Sequence, residues 1–335
     1  MADRAGVSIA TVSRAFNEPA LVREDLRRRV LAVADALGYT PNPAAKALRR
    51  QRTDIVGAVI PTLDHAIYAR LVNAFQAQMA SAGYTVVVLS VGFDNTHVAE
   101  SIRQLVERGA EALMIVGAVE DEGLARFLAQ KQTPVVQTYS FIEGAGRIAV
   151  GFDNAAAMQS VVRHLLSLGH RRMVMLAGPM RGNDRQIARV EAFHRTLDEA
   201  GVEPDAQRVI ETRYSFQDGI DALHAVRALH PTATAVLCSS DILAFGVLHA
   251  CRTLGIAVPR DMSVTGFDDL DFAALLDPPL TTVGIGAEEM GRVAGQRIVA
   301  ALQGPGPVRG LCLPTRLILR GSTAPVRQAQ GLAHF

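Results

Sequence analysis

Within the stretch "GVSIATVSRAFN" (6–17), Ala10, Ser13, Arg14 and Asn17 recur at i, i+3, i+4 and i+7. On a helix that spacing gathers them on one face. The face is small and polar, with one arginine, and its first turn presents Ile9 and Ala10. Such a surface suits a DNA major groove. Small groups permit close approach, a guanidinium pairs bidentately with guanine, and apolar tips meet thymine methyls. Val12, Ala15 and Phe16 share another face and need a core to bury against. Ser8 is a good N-cap for this helix, and Gly6 can end a short helix before it.

A second polar set sits where short apolar runs end. Asp268 follows "SVTGF", Ser240 and Asp241 follow "AVLCS", "RGNDRQIAR" follows "MVMLAGPM", and "PTLDHAIY" follows "IVGAVI". These are C-terminal strand ends, where doubly wound sheets bind ligands. Arg181, Arg185 and Arg189 in one loop favour an anionic or polyhydroxyl group, because guanidinium pairs well with carboxylate and hydroxyl oxygens. An aspartate at a strand end is more often a turn or cap residue, and Asp241 is expected to cap the helix after it.

The elements that must hold these groups follow from periodicity. After residue 53, β-branched runs recur: "IVGAVI" (55–60), "TVVVL" (85–89), "ALMIV" (112–116), "PVVQT" (134–138) and "RIAVGF" (147–152). They continue with "RMVMLAG" (172–178), "AVLCSS" (235–240), "SVTGFD" (263–268) and "LTTVGI" (280–285). Amphipathic segments of helical length separate them, which predicts βαβ units and parallel sheets. Gly83, Gly169, Gly201 and Gly255 each follow such a segment, where a left-handed cap is expected. A second headpiece helix runs from about Arg23 to Leu37, with Leu26, Val30, Val33, Ala34 and Leu37 toward a small core. The tail beyond about Ser322 is polar and is predicted to be poorly ordered.

Composition agrees with this division. The chain is 49% apolar without tryptophan, the usual material of parallel sheets under helices. Residues 1–52 hold ten basic and five acidic residues, a net +5, while the remainder holds 24 basic and 28 acidic, a net −4. A basic head on a mildly acidic body points to a polyanion partner for the head alone. Cys238, Cys251 and Cys312 form no C-x-x-C pair, so reduced thiols and a cytoplasmic protein are expected, with no metal site and no cofactor. The sequence shows neither a signal peptide nor a membrane span.

"AGVSIATVSRAFN" followed by "LGYTPNPAAKALRRQRTDIVG" resembles the headpiece and hinge of the LacI/GalR family of bacterial transcription regulators. The match continues through "DNAAAMQSVVRHLLSLGHRRMVMLAGP", "SSDILAFGVLHACRTLGIAVPRDMSVTGFDD", "PPLTTVGIGAEEMG" and "LPTRLILRGST". The resemblance implies an α/β fold: an N-terminal helix-turn-helix headpiece and two doubly wound α/β lobes in a periplasmic-binding-protein-like core. Its segments would be a headpiece (1–40), a hinge helix (41–52), an N-terminal lobe (53–153 and 284–312) and a C-terminal lobe (154–283 and 313–330).

In that family Ile9, Ala10 and Arg14 fall where bases are read, and Thr11 and Ser13 where phosphates are touched. Leu48 falls on a hinge leucine wedged into the minor groove, where unstacking is offset by the contacts of bent DNA. Ser8, Asn17, Asn42 and Ala45 complete the implied DNA-binding set. Arg189 and Asp268 match regular ligand contacts, Tyr214 an aromatic wall, and Ile67 and Tyr68 the rim of the N-terminal lobe. Asn183, Arg185 and Ser240 complete the implied effector set. The stretches "AVGFDN" and "FNEP" resemble members that answer to gluconate, which makes a sugar or sugar acid the expected effector.

The partners implied are a near-palindromic double-stranded operator, a small effector and a second copy of the chain. The function implied is repression under effector control. Two departures stand out. Only "MADRA" represents the family's first helix, and Arg23 stands where a Ser or Thr cap is usual, a loss of about 1 kcal/mol. Other readings fare worse. A sugar-binding protein without DNA binding leaves the basic headpiece unexplained. An enzyme lacks its motifs, since "GIGAEEMG" is not G-x-G-x-x-G and no G-x-S-x-G or P-loop occurs.

Overall fold

Ser8 starts the helix α2 (Ile9–Asn17), its Oγ accepting from the Thr11 amide at 3.1 Å. Before it, the single turn α1 (Ala2–Ala5) stops at Gly6, whose φ of 62° is left-handed. A 3₁₀ turn over Pro19–Leu21 leads to α3 (Glu24–Ala36), which begins without a side-chain cap. Ala5, Val12, Ala15 and Val30 form the buried centre, with Phe16 and Val33 packed against it. Leu37 departs from expectation. It lies just past the last turn of α3, so its side chain is exposed rather than part of that core.

The computed structural model describes residues 1–40, 52–93, 98–141, 148–203, 205–304 and 308–327. They divide into two units, Met1–Asp54 and Ile55–Phe335. The hinge residues Asn42, Ala45 and Leu48 lie outside the described residues.

In the larger unit, one parallel sheet contains β1 (Ile55–Ile60), β2 (Thr85–Ser90), β3 (Ala110–Val116), β4 (Val135–Thr138), β5 (Ile148–Gly151) and β11 (Leu311–Cys312). Its order is β11-β5-β4-β3-β1-β2. The second contains β6 (Met173–Ala177), β7 (Val209–Glu211), β8 (Ala235–Cys238) and β9 (Ser263–Thr265), ordered β7-β6-β8-β9. All pairings within both sheets are parallel. An antiparallel ribbon of β10 (Thr282–Gly284) and β12 (Arg316–Ile318) adjoins β9 through the Thr265–Thr281 bridge.

The first sheet is flanked by α4 (Ala66–Ser81), α5 (Val98–Glu107), α6 (Glu122–Gln130) and α11 (Ala287–Gln303). The second has α7 (Asn154–Ser167), α8 (Asp184–Glu199), α9 (Phe216–Leu229) and α10 (Asp241–Thr253). Strands such as β6 are buried along their whole length, as expected for a sheet covered on both faces. Two glycines matter to the packing of α9 on α10. A Cβ on Gly246 would lie 2.2 Å from the Phe216 carbonyl oxygen and 2.9 Å from Gly219 Cα.

Residues 322–327 depart from the expectation for the tail, whose remainder, 328–335, lies outside the described residues. Ser322 is fully buried, donating to Val264 O at 2.6 Å and accepting from Thr281 N at 2.8 Å. Val326 N then donates to Leu168 O at 2.9 Å. Polar residues order here because they satisfy backbone groups at the edge of the second lobe.

Gly246→Ala is expected to force α9 and α10 apart at a cost of about 1–3 kcal/mol. Thermal unfolding checks this, and an unchanged melting temperature would show that the two backbones do not meet.

Candidate functional site

In the headpiece, Ser8, Ile9, Ala10 and Arg14 are exposed, with Ile9 80% accessible. An isoleucine left bare beside a core that buries Val12 and Ala15 marks the outward face of α2. Thr11 and Ser13 are half-buried, and Thr11 Oγ1 pairs with Ser8 Oγ at 2.9 Å. Asn17 turns its amide back, donating to Ser13 O at 2.6 Å. Arg14 makes no ion pair among the described residues, so its guanidinium is open to a partner.

In the larger unit, the strand ends of the two lobes converge on a narrow cavity of about 20 Å³. All eight residues of the implied effector set line it: Ile67, Tyr68, Asn183, Arg185, Arg189, Tyr214, Ser240 and Asp268. His65, Tyr139, Gln186 and Ser239 line it as well. Tyr139 follows β4 directly, so the strand-end rule was enough to find it; Gln186 stands one helical turn before Arg189. Nothing in the sequence singled out His65 with force, or separated Ser239 from its neighbour.

Arg189, on α8, is 4% exposed at the centre. Its Nε donates to Asn154 Oδ1 at 2.9 Å, Nη1 donates to Ser239 O at 3.0 Å, and its guanidinium lies 3.6 Å from the Phe267 ring centroid. Burial lowers its pKa, opposed by the charge of Asp268. Burial likewise lifts the Asp268 carboxyl to about 8, against the pull of Arg189. Ser240 Oγ donates to Asp268 Oδ2 at 3.3 Å, and Asp268 has a φ of 112°. Tyr139 (φ 69°) is also held left-handed, a costly conformation concentrated at this cavity.

The walls are aromatic. Tyr214 lies 4.9 Å from Phe93 and 5.7 Å from His65 between ring centroids, and Tyr68 lies 5.2 Å from Tyr139. His65 Nε2 bonds Tyr214 O at 3.0 Å, joining one lobe to the other. Burial raises the phenol pKa values of Tyr68, Tyr139 and Tyr214 and lowers that of His65. Glycines leave room for the cationic and aromatic walls. A Cβ on Gly117 would come within 1.6 Å of Arg185 Nη1, and one on Gly178 within 2.0 Å of the Tyr214 ring. Arg185 itself pairs with Asp184 at 3.1 Å.

Residues 1–42 match the bacterial regulatory proteins of the lacI family, and residues 162–323 match the periplasmic binding protein-like domain. The chain is 34% identical to the HTH-type transcriptional regulator reg1 of Streptomyces lividans, covering 99% of this chain and 97% of that one. It belongs to the LacI family. Among solved structures, the transcription regulator GntR from Chromobacterium violaceum is 30% identical with a TM-score of 0.75, over 80% of this chain and 99% of that one. The lac repressor dimer bound to operator is 25% identical with a TM-score of 0.84, over 96% and 97% of the two chains. This LacI-family chain is therefore a helix-turn-helix transcriptional regulator with a periplasmic-binding-protein-like core.

Two residues of this regulator differ from their expected parts. Asp241 does not cap α10; Ser240 does, accepting from Ile242 N at 3.3 Å. Asp241 is instead fully buried, accepting from Thr282 Oγ1 at 2.6 Å and Leu270 N at 2.7 Å, and burial lifts its carboxyl to about 7. Asn183 lines the cavity, but its side chain caps α8 and donates to Pro179 O at 2.9 Å, so its hydrogen-bonding capacity is largely committed. Among the described residues no helix is long and apolar enough to cross a membrane, and no group of three or more His, Cys, Asp or Glu is placed to hold a metal ion.

A carboxyl raised from 3.8 to about 8 by folding costs stability as pH climbs between those values, and costs nothing below them. Asp268→Asn removes that cost, so its melting temperature should rise relative to wild type from pH 4 to pH 8. A difference that stays flat over this range would show that Asp268 is not perturbed.

Proposed function

We propose that this regulator is a repressor whose operator affinity is set by a small polyhydroxylated acid held between the lobes of its core. The observation that carries the effector class is Arg189. Its guanidinium is buried, yet among the described residues no carboxylate forms an ion pair with it. Arg185 is already matched by Asp184, and a carboxyl raised to about 8 leaves Asp268 mostly protonated at neutral pH. The cavity therefore holds an excess of positive charge that a carboxylate would balance. Asp268 and Ser240 then face ligand hydroxyls, and Tyr214 offers a ring to the apolar side of a sugar chain.

On the DNA side, Ile9, Ala10 and Arg14 are the base-reading residues, with Ser8, Thr11, Ser13 and Asn17 toward the backbone. Binding by a symmetric pair is part of the same proposal, since one short helix reads too few bases by itself. A face for the second copy lies on the second lobe. There Phe216 (55% exposed), Phe272 (68%) and Leu275 (77%) stand bare. Phe216 rims a groove with Ile220, Phe245, Leu248 and Ile256. Apolar exposure on this scale marks a surface meant to be covered. The lac repressor, similar along nearly its whole length, is a dimer on its operator.

Fluorescence anisotropy against a pool of near-palindromic duplexes, titrated with salt, tests the regulator. Steeply salt-dependent, sequence-selective binding is expected. Arg14→Ala should lose about 1–3 kcal/mol per half-site and relax preference at one symmetric base pair. A uniform loss across sequences would mean that Arg14 touches phosphate only. Calorimetry with D-gluconate and neutral sugars tests the effector class; binding of the neutral sugars alone would refute the carboxylate reading. Sedimentation should show a dimer at micromolar concentration, and a stable monomer would overturn the symmetric pair.

A further inference from the structure

Arg70, on α4, reaches from the first lobe to the segment of the second that presents Asp268. Its Nη2 pairs with the Asp271 carboxylate at 2.7 Å, and its Nη1 donates to the Asp269 carbonyl at 3.3 Å. That segment is conformationally expensive. Asp268 and Asp269 stand at φ values of 112° and 53°, where residues other than glycine are disfavoured. It persists only if its surroundings hold it.

Its own lobe supplies part of that hold. Asp268 N donates to Val283 O at 2.9 Å, Leu270 N to Asp241 Oδ2 at 2.7 Å, and Arg320 Nη2 to Asp269 Oδ1 at 2.7 Å. These contacts stay intact whatever the distance between the lobes. The Arg70 contacts do not, because they span the cleft. Asp271 is 86% exposed, so water satisfies it well, and an ion pair there adds little by itself. The fork of a guanidinium matters more: it grips a carboxylate and a main-chain carbonyl of the same short segment at once.

We propose that Arg70 is a positioning residue for the effector site, holding residues 268–271 from the opposite lobe so that Asp268 is correctly presented only when the lobes are closed. This rests on the reading of Asp268 as an effector contact. The lobe that does not carry Asp268 thereby governs its geometry, and closure and ligand affinity become one event.

The test uses the full chain, first without ligand. Hydrogen exchange should show the Asp269 and Leu270 amides opening about ten-fold faster in Arg70→Ala, with β8 and the melting temperature unchanged. Arg70→Lys keeps the charge but not the fork and should fall between. Arg70→Asp combined with Asp271→Arg should recover part of the protection, which a merely space-filling role would not allow. D-gluconate affinity should then fall about ten-fold in Arg70→Ala through loss of preorganisation.

Unchanged exchange in Arg70→Ala overturns the proposal, and so does faster exchange with unchanged affinity. If the wild type binds neither D-gluconate nor the neutral sugars, the effector reading fails separately. The hold on the segment is then judged by exchange alone, with faster exchange and charge-swap recovery supporting it and unchanged exchange overturning it.

Discussion

A guanidinium buried between two lobes is the constraint on which the larger unit depends. Arg189 donates one bond to Asn154, at the start of the helix that opens the second lobe, and another to the Ser239 carbonyl just past the end of β8. Asn154 in turn donates to the carbonyl of Tyr139, a left-handed residue of the first lobe. A buried charge is tolerable only when its donors are occupied. Satisfying this one therefore ties together strand ends that the chain order keeps far apart. The buried face of Phe267 beneath it adds cation–π attraction.

The rest of the cavity is shaped by what is missing as much as by what is present. Gly117 and Gly178 leave the space that Arg185 and Tyr214 fill, and Gly266 leaves the space for the carboxylate of Asp241. Asp241 in turn anchors Leu270, beside Asp268. A conventional strand-end aspartate would cap a helix in water. This one is drawn inside because Thr282 and the Leu270 amide meet both of its oxygens.

The headpiece obeys a simpler rule. Its helices are short, and its four central core residues are small or medium-sized. What distinguishes it is the contrast between the faces of α2, with Val12 buried and Ile9 bare. That contrast is legible in the 3.6-residue periodicity, and the cap at Ser8 and the left-handed stop at Gly6 in residue type. Leu37 departs from the stripe for a local reason: the apolar period runs on for one residue after the helix ends.

The sequence by itself determined the alternation of strand and helix, the left-handed glycines that close four helices, and the strand ends at which polar residues would collect. All of these depend on contacts within a few residues, so periodicity and residue type are enough to set them. Collinear motifs extended that reading to the family and to the eight side chains that line the cavity. Only the tertiary structure decided the rest. It placed His65 in the cavity, buried Asp241, committed Asn183 to a cap, ordered the chain around Ser322, and set Arg70 against Asp271. Each of these joins residues distant in the chain, or turns on whether a polar atom finds its partner among them. Such pairing is fixed by packing two lobes against each other, and no local pattern carries it.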